Sequence, residues 1–573
     1  MHAHSRRAVL GAGIAAAGSG LLSACSPSVP PDTMGTDMDD NGMDTSAKDG
    51  DAIAAPQPEY VSPDGPEVRA AERVRGQGPV RRFQLLATAT TLDLGARTVK
   101  SWAYGDMLPG QEIRVTAGDT LALTLANNLP QPTSLHWHGI RLRNDMDGVP
   151  GLTQGPVGTG ATYDYRFTLP HPGTYWIHPH AGVQMDRGLY APLIVEDPKE
   201  PLSYDKEWVI VLDDWLDGVG GSTPDLVLEE LNGGTGAGMN HGMGHGGTRR
   251  IPAPVGSAVP PAPANAALAT ATAKAAGKGK GTAKGGKGKG AKGKGKVHPP
   301  SRRLTGARSA LLGGLAGDIA YPYYLTNGRT PQSPQVFRAK TGDRIRIRII
   351  NAGGDTAFRV ALGGHQMTVT HTDGYPVVPV TTDALLVGMG ERYDVLVEVK
   401  DGVFPFAALA EGKGRSTMAV LRTGGKGARN FPRPKELDGQ LLTAARLKAA
   451  EQVRLSPREP DRTIRMRFTG SPRHYDWSIN GKPYDPAQRY PVREGERVRM
   501  TFINNTPMWH PFHLHGHTFA LPDGGARKDT AILLPHTKVS VDFDADNPGL
   551  WMIHCHNVYH SESGMMTVLG YQR

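Results

Sequence analysis

Three stretches of this 573-residue chain align with one another without gaps over their first half: "IRVTAGDTLALTLANN" from Ile113, "VFRAKTGDRIRIRIIN" from Val336 and "RYPVREGERVRMTFINN" from Arg489. In each, a glycine (Gly118, Gly342, Gly495) stands nine residues before an asparagine (Asn127, Asn351, Asn504). Apolar residues alternate between the two: Leu121, Leu123 and Leu125, then Ile345, Ile347 and Ile349, then Val498, Met500 and Phe502. A period of two, with polar partners such as Arg344, Arg346 and Arg348, predicts half-buried antiparallel strands rather than helices. A similar strand-turn element precedes each repeat: "SWAYGDMLPG", "YYLTNGRTPQ" and "DWSINGKPYD". Repeats of this size with Gly/Pro/Asn-rich turns predict an all-β chain of three Greek-key sandwiches. Their expected bounds are 79–200, 203–424 and 462–573. The middle one carries a low-complexity insertion over 229–317, and a linker over 425–461 contains an amphipathic helix at 434–453.

What lies outside the sandwiches accounts for the composition. The formal charge is +9, yet nine lysines and no acid fall within 274–296. That Gly/Ala/Lys tract reads as a solvated, self-repelling tether, and the rest of the chain is neutral, which removes the charge argument for nucleic acid. Residues 26–78, rich in Pro, Asp and Gly, read as a disordered stalk. Ahead of them, Ser5-Arg6-Arg7 precedes an apolar run too short to span a bilayer, and "LSAC" ends at Cys25. This pattern resembles a twin-arginine export signal with a lipoprotein cleavage box. The expectation is a monomer outside the cytoplasm, held to the membrane only by a lipid on Cys25. With Cys25 so used, Cys555 is the one thiol left for the folded body, and an internal disulfide is excluded.

Counting from the repeat asparagine locates the chemistry. Offsets +9 and +11 give His136 and His138 in the first repeat and His513 and His515 in the third, but Val360 and Leu362 in the second. A second twinned pair follows the glycine of "PGTYWIHPH" and of "PGLWMIHCH" by five residues: His178 and His180, and His554 and His556. The corresponding middle stretch, "GVFPFAAL", has no histidine. On a strand, residues i and i+2 share a face about 7 Å apart. Eight such imidazoles from two sandwiches meeting face to face could hold three metal ions with two, three and three ligands, and imidazole sites suit copper, zinc or iron. In "HCH" the cysteine projects from the opposite face. Cys555 can therefore join His510, His560 and Met565 in a His2Cys site with a weak axial thioether, a set typical of electron-transfer copper and giving zinc no use for the methionine. His365, His371 and His474 read as structural or surface residues, and His517 as support.

With "HWHG" at 136–139, "HPH" at 178–180, "HPFHLHGH" at 510–517 and "HCHNVYHSESGM" at 554–565, the chain resembles the three-domain laccase-type multicopper oxidases over about 79–573. The resemblance implies cupredoxin-like domains and four copper ions: one type 1, one type 2 and two type 3. By motif, His510, Cys555, His560 and Met565 resemble the type 1 ligands and His136 with His513 the type 2 pair. His138, His178 and His556 resemble the ligands of one type 3 copper, and His180, His515 and His554 those of the other. The implied reaction is one-electron oxidation of a substrate at type 1, with electrons received through His560 and passed along Cys555 to a trinuclear cluster that reduces O2 to two waters. Asp147 matches the acid expected to relay protons there, and Glu562 stands one residue beyond the position a second acid occupies in bacterial members.

Within the family the chain looks nearest the exported actinobacterial copper-detoxifying oxidases, which implies Cu(I) or phenols as substrates and a role in copper tolerance. Met239, His241, Met243 and His245 could capture soft Cu(I). The alternatives are a ferroxidase or manganese oxidase, or a copper-sequestering lipoprotein without turnover.

Overall fold

The computed structural model describes residues 59–233, 299–424 and 431–573. The export signal with Cys25, the Met/His cluster 239–245 and the lysine tract 274–296 lie outside the described residues.

The three repeats fold alike. Strands Thr120–Asn128, Arg344–Asn351 and Arg497–Asn504 each sit at the centre of a sheet. Each pairs antiparallel with a later strand, Thr162–Thr168, Arg392–Glu398 or Lys538–Asp544. The other neighbour departs from the antiparallel expectation: it is the first strand of the same sandwich (Val80–Asp93, Lys206–Trp215, Arg462–Thr469), and it runs parallel. A crossover between the two sheets of a sandwich brings that strand alongside with the same polarity. The alternating apolar residues of all three strands face the interior, none more than 3% exposed. A second sheet closes each sandwich, so the molecule is all-β with three cupredoxin-like units.

The repeat asparagines explain themselves at the strand ends. Asn127 Nδ2 donates to the carbonyls of Gln131 and Val157 while its Oδ1 accepts from Leu129 N. Asn351 and Asn504 repeat the arrangement, on Thr356 and Val387 and on Met508 and Leu534. One side chain thereby satisfies the backbone of the corner that leads into the next strand, and in the outer sandwiches that strand carries the histidines.

Four sequence expectations are corrected. Arg346 and Arg348 are buried, not solvent-facing; they pair with Asp394, Glu200 and Glu207, and Arg348 donates to Thr174 of the first sandwich. The predicted helix at 434–453 is instead three short 3-10 turns, Lys435–Asp438, Ala444–Arg446 and Glu451–Val453, around the two-residue strand Leu441–Leu442. Leu437, Leu442 and Leu447 are buried there at intervals of five, which no helix face supplies, so packing overrides propensity. The insertion is shorter than 229–317, because helix Pro224–Gly233 runs into it and residues 299–317 return as ordered backbone around Arg302, bonded to Glu230 and Ser222.

The last part of the expected stalk is structured as well. Helix Pro66–Arg75 buries Val68, Val61 N donates to Tyr571 O, Arg75 reaches Asn547 and Glu72 accepts from Thr168 N. The segment straps the first sandwich to the third. Placing a carboxylate in that apolar contact through Val68→Asp should lower the thermal midpoint by about 5 °C in calorimetry. An unchanged midpoint would mean that the strap contributes nothing.

Candidate metal centre

Strand register aligns the histidines. His136–His138 pairs antiparallel with Gly173–His178, setting His136 opposite His178; His510–Leu514 pairs with Leu550–Cys555, setting His513 opposite His554. The first and third sandwiches meet so that these edges face each other. The His136 and His513 rings lie 6.0 Å apart, and His138 stacks on His513 at 3.9 Å. Gly139 is required at this seam, because a Cβ there would come within 2.3 Å of Arg392 and 2.6 Å of Asp529.

Hydrogen bonds fix which nitrogen is free in six of the eight rings. The Nδ1–H groups of His136, His178, His513 and His554 donate to the carbonyls of Asp147, Pro179, Asp529 and Cys555. His515 Nδ1 donates to Asp147 Oδ2 at 2.9 Å, and His138 Nε2 donates to Asp529 Oδ1 at 3.1 Å. What remains points inward as lone pairs. The Nε2 atoms of His136, His178, His180 and His513 are buried without any partner. His515 Nε2 lies 3.1 Å from His554 Nε2, and His138 Nδ1 lies 3.2 Å from His556 Nε2. Orphaned buried nitrogens are rare, and such convergence fits bound cations.

Three of the groups whose ligand atoms lie within 4.8 Å are His138/His178/His556, His180/His515/His554 and His136/His138/His513; His136 also groups with His178 and His180. Burial, reinforced by neighbouring imidazoles, holds His138, His178, His180, His515, His554 and His556 well below the ordinary histidine range, so they are neutral and able to ligate.

On the other side of the Leu550–Cys555 strand, Cys555 Sγ lies 3.5 Å from His510 Nδ1 and 3.7 Å from His560 Nδ1. Met565 is fully buried in the same core, and its backbone closes the loop by accepting from Cys555 N and donating to His560 O. Burial pushes the Cys555 thiol well above its usual range. His510 Nε2 contacts Thr506 Oγ1 at 2.7 Å, and His560 Nε2 donates to Asp318 Oδ2 at 2.8 Å. His560 is 0% exposed, with Asp318 of the middle sandwich against its outer nitrogen.

Of the two acids singled out, Asp147 lies against the eight-histidine group, with Oδ1 3.2 Å from His136 Nδ1. Glu562 lines a cavity of about 20 Å³ together with His178, His180, His554 and His556, and burial pushes its carboxyl up to about 7. His517 supports the site from behind, bonded to His515 O and Tyr571 OH; His365 is a satisfied core residue.

Sequence reading missed the acid across the seam from Asp147. Asp529 accepts from His513 through its backbone carbonyl and from His138 through its carboxylate, while Arg392 of the middle sandwich grips it through two bonds of 2.6 Å. Burial opposes its charge, but Arg392 and His513 hold its carboxyl below the ordinary range. The signal was available: like Asp147, it follows the first histidine of its pair at short range, but at sixteen residues rather than eleven.

Three family models, each described as multicopper oxidase, match residues 86–200, 277–426 and 457–572. The chain is 45% identical over 511 residues to the multicopper oxidase MmcO of Mycobacterium tuberculosis, spanning 88% of this chain and 90% of that one. It is 27% identical over 583 residues to the copper resistance protein A homolog of Pseudomonas syringae pv. tomato, spanning 84% and 91%. Among solved structures, the multi-copper oxidase from Pseudomonas thermotolerans superposes with a TM-score of 0.59 at 24% identity, over 86% of this chain and 99% of that one, a likeness of fold.

The two seam acids should separate on substitution. Asp529→Asn leaves Arg392 buried beside a neutral amide and should cost roughly 3 kcal/mol of stability and lower metal affinity about 10- to 100-fold. Asp147→Asn, with no buried cation to strand, should lower metal affinity with a smaller stability loss. Elemental analysis and thermal unfolding check both; equal stability losses would contradict the role assigned to Arg392.

Proposed function

Because this chain belongs to the multicopper oxidase family, we propose that its substrate is cuprous ion, with phenols also oxidised, and that its oxidase activity serves copper tolerance. The observation that carries the reading is the thiol of Cys555 in one metal-binding group while its two chain neighbours, His554 and His556, lie in the other. Copper at these positions, one ion with His510, Cys555, His560 and Met565 and three among the eight histidines, would supply the reversible one-electron steps that reduce one O2 to two waters.

The residues do the rest. Asp147 and Asp529 hold the inner rings in the tautomers that present lone pairs. Cys555 gives electrons a path of a few covalent bonds between the groups. Glu562, in the cavity against four of the histidines, is positioned to deliver protons, and Asp147, against His136 and His515, is positioned to do the same. Asp318 sets a negative charge on the outer nitrogen of His560, which favours a cationic electron donor over a neutral phenol. The printed names of the relatives, a multicopper oxidase and a copper resistance protein, support the same role. The twin-arginine pattern and Cys25 support an exported, lipid-held monomer with contact to the membrane through that lipid alone; Cys25→Ser should abolish incorporation of labelled fatty acid.

Oxygen uptake by the copper-loaded full chain tests the substrate. Saturable uptake with Cu(I), exceeding that with a phenol, Fe(II) or Mn(II), is expected, and Glu562→Gln should slow it roughly 100-fold at unchanged copper content. Copper binding without oxygen uptake would favour sequestration instead.

A further inference from the structure

Among the described residues the middle sandwich supplies no ligand to either group, yet one of its carboxylates gathers the backbone around the Cys555 group. Asp355 lies in the turn after Arg344–Asn351 and is wholly buried. Its oxygens accept from Asp318 N and Ile319 N at 3.0 Å each, from Lys413 Nζ at 2.7 Å and from Asn557 Nδ2 at 2.6 Å. Three of these bonds have a consequence at His560. The two backbone bonds fix the loop from which Asp318 reaches His560 Nε2. The bond from Asn557 Nδ2 sets the orientation of that amide, so that its Oδ1 faces Tyr559 N and His560 N and caps the short helix Val558–Glu562. The approach is close enough that a Cβ on Gly317 would stand 2.4 Å from Asp355 Oδ2.

We infer that Asp355 is a positioning residue that tunes the redox potential of the Cys555 group by holding Asp318 and Asn557 against His560. This rests on the reading of His510, Cys555 and His560 as copper ligands. A carboxylate accepting from the outer N–H of a ligating imidazole makes that imidazole a stronger donor and favours the oxidised metal. Loosening Asp318 therefore raises the potential.

Lys413 makes a clean test possible. Its ammonium is buried against Asp355 and Thr356, so Asp355→Asn alone would both strand a cation and remove a negative charge near the metal. The double variant Asp355→Asn/Lys413→Met conserves net charge and removes both partners; Lys413→Met alone, which loses the bond to Ile319 O and the cation near buried Asp214 but keeps Asp355, is the control that separates positioning by Asp355 from those losses. The potential is read by redox titration of the visible thiolate-to-copper absorption in the copper-loaded full chain, for wild type, Asp318→Asn, Lys413→Met, the charge-conserving double variant and the triple combination. The double variant should lower the oxidised-to-reduced ratio at a fixed applied potential about tenfold, or about 59 mV for a one-electron couple. It should shift in the same direction as Asp318→Asn, and the triple variant should fall short of the sum. A double variant with the wild-type potential, or full additivity in the triple, overturns the inference alone. A wild-type protein that takes up copper without the visible band overturns the ligand reading, and this inference with it. Should the double variant not fold, Asn557→Ser, which keeps a capping oxygen but loses the bond to Asp355, takes its place: an upward shift supports the inference and none overturns it.

Discussion

Two carboxylates crossing one seam hold the metal centre together. Asp147 belongs to the first sandwich and bonds His136 of its own sandwich and His515 of the third; Asp529 belongs to the third and bonds His513 of its own and His138 of the first. Each acid therefore orients a ring on either side. The two sandwiches cannot separate or slide without leaving buried N–H groups unpaired, a penalty that grows in an interior of low dielectric. Four of the eight rings, His136, His138, His513 and His515, are oriented by the same acids that dock the domains, which couples docking to site assembly.

The middle sandwich carries the repeat but not the histidines, and its contribution is charge. Arg392 reaches through to neutralise Asp529, and Lys413 neutralises Asp355. Val360 and Leu362, at the offsets where its siblings carry ligands, are fully buried core. This unit acts instead as a wedge whose buried cations and acids brace both groups.

The fold and the convergence of the candidate ligands were legible because both obey short periods. Alternation at two residues announced the strands, and the same alternation made His-x-His a statement about one face. A glycine-to-asparagine interval repeated three times supplied a register in which Val360 and Leu362 were as informative as the histidines they replace. Most of the supporting shell was not legible: Asp529 left a trace in its spacing after His513, but Arg392, Asp318 and Asp355 reach their partners across domain boundaries, and no local spacing encodes such a meeting. Errors of the opposite kind came from reading local pattern where tertiary contacts decide. The leucines of 434–453 lie on the flank of the middle sandwich instead of on a helix, and the polar composition of the stalk hid Val61 and Val68, which anchor its C-terminal part to the body.

The balance of buried charge around the two groups is uneven in an informative way. Of the four carboxylates that order them, Asp529 and Asp355 each have a buried cation from the middle sandwich, whereas Asp147 and Asp318, among the described residues, face imidazoles of the two groups rather than a lysine or arginine. A neutralised acid is suited to holding geometry, since its charge is already spent on a fixed neighbour. An acid without that neighbour keeps its attraction for a mobile positive charge. The two acids without such a cation stand one at each group: Asp147 against the eight histidines, where oxygen reduction consumes protons, and Asp318 at the outer nitrogen of His560, where it would attract the cationic donor proposed above. Division of labour between fixed and available negative charge thus follows from which acids the middle sandwich reaches.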